Sequence, residues 1–228
     1  MRGHKASIPA GDTPRRYVPP GSERPRRALD ALAVVTCYRR GQEIRSREGA
    51  AGNWYRVVAG VAGRCAVRAG GRRQIVDLLL PGDFFLGGTS PADRHCSVEA
   101  VVEGTAVACF PRERVERLAA SDPDAAHEIR DMASAITGRL EVQILILGRS
   151  TATKKIGSFL LKMAERCSEA DRDGMVLPMS RYDIADYLAL SVETVSRSLT
   201  ELKQRGAIAL VGTRRVRIVD HAALDDEG

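Results

Sequence analysis

The run Ser191-Val192-Glu193-Thr194-Val195-Ser196-Arg197 gathers side chains whose donors and acceptors suit the edges of base pairs. An arginine can donate two hydrogen bonds to guanine O6 and N7, and a carboxylate can accept from cytosine N4. A hydroxyl serves either way, and an apolar group can meet the thymine methyl. At helical spacing Val192, Glu193, Ser196 and Arg197 lie on the first turns, opposite Val195 and Leu199. Ser191 and Thr194 open the same segment. Glu193 and Arg197 taken alone also suit an i,i+4 ion pair on any solvated helix. The elements around them therefore carry the decision.

Those elements have recognisable ends. Ser180 followed three residues later by Asp183 matches a capping box with Asp in place of Glu or Gln. Ile184, Ala185 and Leu188 give the short helix that follows an apolar face. Ala189-Leu190-Ser191 makes a tight connection, and Ser191 caps a second helix from Val192. Val195, Leu199 and Leu202 form its inner face, and Gly206 suits the position just past its end. Two short helices so joined are a helix-turn-helix, whose second helix enters the major groove. AIALV, a GTRR turn and VRIVD then read as a hairpin wing, with Arg214 and Arg215 at its tip for phosphates. Two caps, a tight turn and a wing near the C-terminus favour DNA binding over a plain surface helix.

Upstream the pattern is different. From about Ala31 to Pro111, short segments rich in Val, Ala, Leu and Gly alternate with turn signals such as Gly70-Gly71 and Pro81-Gly82-Asp83. That spacing predicts an antiparallel β-roll or barrel. Beyond Ser121-Asp122-Pro123, the residues Ile129, Met132, Ile136, Leu140, Ile144 and Leu147 recur at helical intervals. One apolar stripe of this length resembles a coiled-coil seam and points to pairing with a second copy; the alternative is a helix packed on its own domain. IGSFLLKMAERC reads as a further amphipathic helix. The expected fold class is α+β: a disordered basic tail over residues 1–28, a β-roll over 29–120, a dimerisation helix over 121–149 and a winged helix-turn-helix over 150–222.

Charge and cysteine usage narrow the remaining classes. The net charge is +6, but residues 1–30 hold seven Lys/Arg against three acids, so much of the surplus sits in a Pro- and Arg-rich tail. Net charge is thus poor evidence for nucleic-acid binding here. The tail lacks the apolar core of a secretory signal, and Asp12 and Glu23 disfavour a transit peptide. No apolar run is long enough to span a bilayer. Cytoplasm is the expected location, in keeping with five cysteines (Cys37, Cys65, Cys96, Cys109 and Cys167) that contain no CxxC pair. Cys65 and Cys109 fall in strand-like runs and read as small buried hydrophobes, while Cys37 and Cys96 have polar neighbours and suit the surface. His4, His95, His127 and His221 are scattered without triad or metal spacing, so nothing supports an enzyme.

From about Ala31 to Asp220 the sequence resembles the CRP/FNR superfamily of bacterial transcription regulators, most specifically in DIADYLALSVETVSRSLTELKQRGAI. Glu193, Ser196 and Arg197 match the E-x-x-S-R pattern of its FNR and FixK branches, and LGRSTATKKIGSFLLKMAE resembles the FixK group. The resemblance implies a cyclic-nucleotide-binding-type antiparallel β-roll, a long dimerisation helix and a C-terminal winged helix-turn-helix. It implies a homodimeric activator that works with RNA polymerase on double-stranded DNA, at an inverted repeat resembling TTGAT-N4-ATCAA, in low-oxygen, nitrogen or respiratory metabolism.

The departures bear on the signal. Cyclic-AMP binders of the superfamily carry Glu shortly after a G-D-F turn and a later Arg-Ser pair. Here Phe85 is followed by Leu86-Gly87-Gly88, and His95-Cys96 stands in the pair's place, with Arg94 one residue away. An oxygen-sensing iron–sulfur member needs four thiolates, several near the N-terminus, and residues 1–36 contain none. A haem-bound variant would draw on His95, Cys65 or Cys96 as ligands. The redox cysteine of some FixK proteins has no counterpart at Met179-Ser180-Arg181; Cys167, assigned to the preceding helix, is the nearest thiol. The expectation is a regulator without cofactor or metal. Its alternatives are an effector-gated regulator and a cyclic-nucleotide-type regulatory subunit of an enzyme.

Overall fold

Alternating small and branched apolar residues between glycine turns build the N-terminal half, and the computed structural model describes residues 29–44, 52–67, 70–87, 96–167, 174–212 and 214–224. The expected tail over 1–28 lies outside the described residues. One antiparallel sheet has the order β1 (Val34–Tyr38), β7 (Thr105–Phe110), β2 (Trp54–Ala59), β5 (Phe84–Leu86). The second has the order β4 (Arg73–Leu79), β3 (Ala62–Val67), β6 (Cys96–Ala100). Inward residues Tyr38, Tyr55, Val57, Leu79, Phe85, Val98 and Val107 make a common core. The Tyr55 and Phe85 rings stack there at 5.0 Å between centroids. Gly60 turns β2 into β3 at φ +78°, and a Cβ there would lie 2.8 Å from the Thr105 backbone. Only glycine meets both demands.

Helix α1 (Arg112–Ser121) leads into α2 (Pro123–Gly148) through a cap. The Asp122 carboxylate accepts from the amides of Asp124 and Ala125, and Pro123 occupies the first turn where its missing N–H costs nothing. With 26 residues, α2 runs about 39 Å. Its apolar positions do not form a single stripe. Met132 turns into the β-roll core, joined by the half-buried Ile129, because the first turns of α2 lie over α1 and Phe110. Ile146 and Gln143 face inward as well. Leu140 and Ile144 stay exposed, and Ile144 keeps 68% of its surface. Val142 and Leu145 are exposed on another side of the same helix. Arg139 fastens α2 to the roll with a two-point grip on the buried Asp77 (3.1 and 3.3 Å) and a third bond to the Phe84 carbonyl.

The C-terminal third is α3 (Ala152–Arg166), β8 (Met175–Val176), α4 (Arg181–Leu188), α5 (Val192–Gln204), β9 (Ile208–Val211) and β10 (Arg215–Ile218). Its sheet has the order β8-β10-β9. Cys167 caps the end of α3 and is not inside it, since the chain turns extended there. Cys96 is half-buried because β6 pairs with β3, whereas Cys37 on β1 is exposed and Cys65 and Cys109 lie in strands, buried and half-buried. Ile156, Phe159, Leu160 and Met163 of α3 pack with Tyr187, Leu188 and Leu199. The same apolar cluster continues into Val61, Ile75, Leu78, Leu80 and Val101 of the roll. No helix among the described residues is long and apolar enough to cross a membrane.

Candidate nucleic-acid interface

The two helices of the motif are set by their caps. Ser180 Oγ accepts from the Asp183 amide, and the Asp183 carboxylate accepts from the Ser180 amide at 3.1 Å, closing the capping box. Helix α4 stops at Ala189, which adopts the left-handed conformation (φ 56°, ψ 42°). It is the only non-glycine residue to do so among the described residues. Ser191 Oγ then accepts from the Thr194 amide to start α5. Val195, Ser198, Leu199 and Leu202 are buried, which fixes the rotation of α5 about its axis. Gly206 follows its last turn at φ +75°.

With that rotation fixed, the opposite face carries the sequence-derived residues. Glu193 and Arg197 are exposed one turn apart, yet no ion pair joins them among the described residues. The Arg197 guanidinium has no hydrogen-bond or salt-bridge partner there and is free to donate. Glu193 is held below the usual carboxylate range by its own backbone amide, then by the Ser191 hydroxyl and the Arg197 charge. It stays an acceptor at neutral pH. Ser196 is half-buried and accepts from Nη1 of Arg181 at 3.1 Å. Val192 is not fully presented; it is half-buried against the apolar cluster because it begins the helix beside the turn. Ser191 is exposed and Thr194 half-buried, and their hydroxyls contact each other at 3.0 Å. In the wing, Arg214 is exposed at the turn, while Arg215 lies in β10, half-buried and opposite Val211.

Residues from the β-roll also reach the motif, and local patterning gives no sign of them. The Asp183 carboxylate, 1% exposed, is gripped by Arg73 from β4 at 3.3 Å and by Arg40 at 3.2 Å. Arg73 also pairs with Asp186 and, at 2.6 Å, with Glu99. At the other end of α4, Gln74 donates to the Asp186 carbonyl and Gln143 donates to the Tyr187 carbonyl at 2.8 Å. Lys162 of α3 donates to the Tyr187 hydroxyl at 2.9 Å. The positioning helix is thus tied at both ends to the roll and to α2.

At the end of β5, where the ribose-binding acid of a cyclic-nucleotide site would stand, come Leu86 and, just after the strand, Gly87. A side chain at Gly87 would meet the Tyr55 ring at 2.7 Å. Cys96 in β6 offers no anion donor comparable to an arginine, and His95, Arg94 and Gly88 lie outside the described residues. Among the described residues of this segment, Leu86, Gly87 and Cys96 supply neither the acid nor the Arg-Ser pair of a cyclic-nucleotide site. No group of three or more His, Cys, Asp or Glu suited to a metal occurs among the described residues.

Comparison with known proteins gives two family matches along the chain. Residues 154–227 match the Crp-like helix-turn-helix domain, and residues 35–122 match the cyclic nucleotide-binding domain. The nitrogen fixation regulation protein FixK of Azorhizobium caulinodans is 40% identical over 207 residues, covering 89% of this chain and 82% of that protein. The transcriptional activator protein FnrL of Cereibacter sphaeroides is 36% identical over 177 residues, covering 75% of this chain and 71% of its own. The solved structure of FixK2 from Bradyrhizobium japonicum superposes with a TM-score of 0.73 at 34% identity, covering 85% of this chain and 96% of that one.

Proposed function

Because the chain belongs to the CRP/FNR family of bacterial transcription regulators, in its FixK-like branch, we propose that it works as a homodimeric activator on an inverted repeat resembling TTGAT-N4-ATCAA. The observation that carries this reading is the free Arg197 guanidinium beside the ionised Glu193 on the outer face of a capped, core-locked α5. Two such helices related by a two-fold axis read half-sites about one DNA turn apart, roughly 34–36 Å. Arg197 takes the guanine of TTGA and Glu193 the strand near its paired cytosine. Ser196 takes a neighbouring thymine, with Val192 against a thymine methyl. Ser191, Thr194, Arg214 and Arg215 meet the phosphate backbone and carry little sequence information.

The exposed Leu140 and Ile144 of α2 supply the apolar surface for the second copy. Recruitment of RNA polymerase, a cytoplasmic location, and control of low-oxygen, nitrogen or respiratory genes complete the proposal, with domain limits at residues 29–120, 121–149 and 150–222. The packed Tyr55–Phe85 interior and the Leu86-Gly87 sequence favour a roll without cyclic nucleotide over an effector-gated one. Nothing in the family matches indicates an enzyme.

Binding selection on wild type, Arg197→Ala and Arg215→Ala tests the reading. Arg197→Ala should cost on the order of 1–3 kcal/mol per half-site and relax preference at one base pair. Arg215→Ala should weaken all sequences alike and flatten the salt dependence. Equal loss by Arg197→Ala on cognate and scrambled DNA would reduce Arg197 to a backbone contact. Calorimetry with cyclic AMP and cyclic GMP should show no saturable heat.

A further inference from the structure

Resting on that reading of α5, we propose that Arg181 is a positioning residue that turns the Ser196 hydroxyl proton outward and so biases which base edge Ser196 pairs with. A serine hydroxyl has one proton and two lone pairs, and by itself it can pair with either a donor or an acceptor on a base. A guanidinium can only donate. With Nη1 of Arg181 3.1 Å from Ser196 Oγ, one lone pair is taken and the hydroxyl proton is directed elsewhere. That proton has no acceptor among the described residues. Ser196 therefore presents a proton, strengthened by the adjoining positive charge, and it favours an edge that offers an acceptor. Between pyrimidines this means thymine O4 over cytosine N4.

The geometry behind the bond is rigid. Arg181 is the first residue of α4, directly after the Ser180 cap. The capping carboxylate of Asp183 is in turn held by Arg40 and Arg73. Ser196 is placed by the buried Val195, Leu199 and Leu202 of α5. The hydrogen bond thus spans the two helices of the motif, from residues whose backbones are each fixed independently.

The test is binding selection with the full chain, comparing wild type, Arg181→Ala, Arg181→Lys, Ser196→Ala and the Arg181→Ala/Ser196→Ala pair, with Arg197→Ala alongside. Melting curves first establish that each variant folds. Arg181→Ala should reduce the thymine-over-cytosine preference at the base pair facing Ser196 by roughly three- to tenfold, the worth of one hydrogen bond. It should have no further effect at that position once Ser196 is alanine. Arg181→Lys, which keeps a donor-only cation beside Ser196, should keep both the salt dependence and most of the preference. Uniform loss across all sequences, restored by lysine, would overturn the proposal and make Arg181 a phosphate contact. If Arg197→Ala and Ser196→Ala both leave the selected sequence unchanged, the assignment of α5 as the reading helix fails, and that outcome is distinct from a failure at Arg181 alone.

Discussion

Asp183 in the helix-turn-helix and Arg73 in the β-roll are 110 residues apart in sequence and 3.3 Å apart in space. The carboxylate is buried and the guanidinium only partly so. Removing Arg73 leaves a buried charge with one arginine fewer. Removing the carboxylate leaves arginines that can reach water. Arg73→Ala should therefore destabilise the chain by on the order of 2–4 kcal/mol, more than Asp183→Asn. The double variant should cost less than the two singles added together. Urea unfolding of the four proteins measures this; strict additivity would show that the pair contributes nothing.

The outward sides of α2 give a second expectation. Glutamates at Leu140 and Ile144 should produce monomers in sedimentation and weaken operator binding by on the order of 100-fold or more, since the second half-site would no longer be tethered. Glutamates at Val142 and Leu145, equally exposed but on a different side, should leave the dimer intact. Monomerisation by the second pair instead would move the seam.

Ala189 occupies a backbone conformation that costs an L-residue about 1–2 kcal/mol. Glycine removes that strain but adds about 0.4–1 kcal/mol of unfolded-state freedom. Ala189→Gly should stabilise by roughly 0.5–1 kcal/mol, seen as a raised Tm, whereas Ala189→Val should lower it.

Burial drives the Cys65 thiol up to about 12, against the smaller opposing effect of Arg73. An alkylating reagent at pH 8 should modify the exposed Cys37 quickly and leave Cys65 untouched until the protein unfolds. Mass mapping after timed exposure decides it.

Lys162 shifts in the other direction. Burial, then the neighbouring Arg166 charge, lowers it to about 8 from an ordinary 10.5. The folded chain sheds this proton before the unfolded chain does, so the contribution of Lys162 to stability rises with pH between about 8 and 10.5. The Cys65 thiol, whose folded value lies above its ordinary 9.0, acts in the opposite sense above about pH 9. From pH 8 to 9, then, stability should climb in the wild type relative to Lys162→Met. Parallel urea midpoints for the two proteins across that interval would refute it.

Local signals read well from sequence. Ser180 with Asp183, Ser191 and Gly206 all mark helix ends through bonds made within three or four residues, and each acts as the spacing predicts. The stripe on α2 was legible as helical but not as divided. Periodicity records that Met132 and Ile144 are both apolar, not that one meets Phe110 and the other meets solvent. The Arg181–Ser196 bond crosses the turn between two helices, and Arg40, Arg73, Gln74 and Gln143 come from distant segments. Charged and amide side chains on a strand or helix read as solvated surface until the tertiary packing shows what lies across from them.

The ties at both ends of α4 bear on how the chain unfolds. An eight-residue helix has little stability of its own, and this one takes its end partners from β4, α2 and Arg40. The apolar cluster beneath it runs without interruption from Val61 and Ile75 to Leu199. The cooperative unit therefore crosses the junction between α2 and α3. Amide exchange in α4 should open together with β4 and not with the wing alone, so that the reader of DNA and the roll behind it melt as one body.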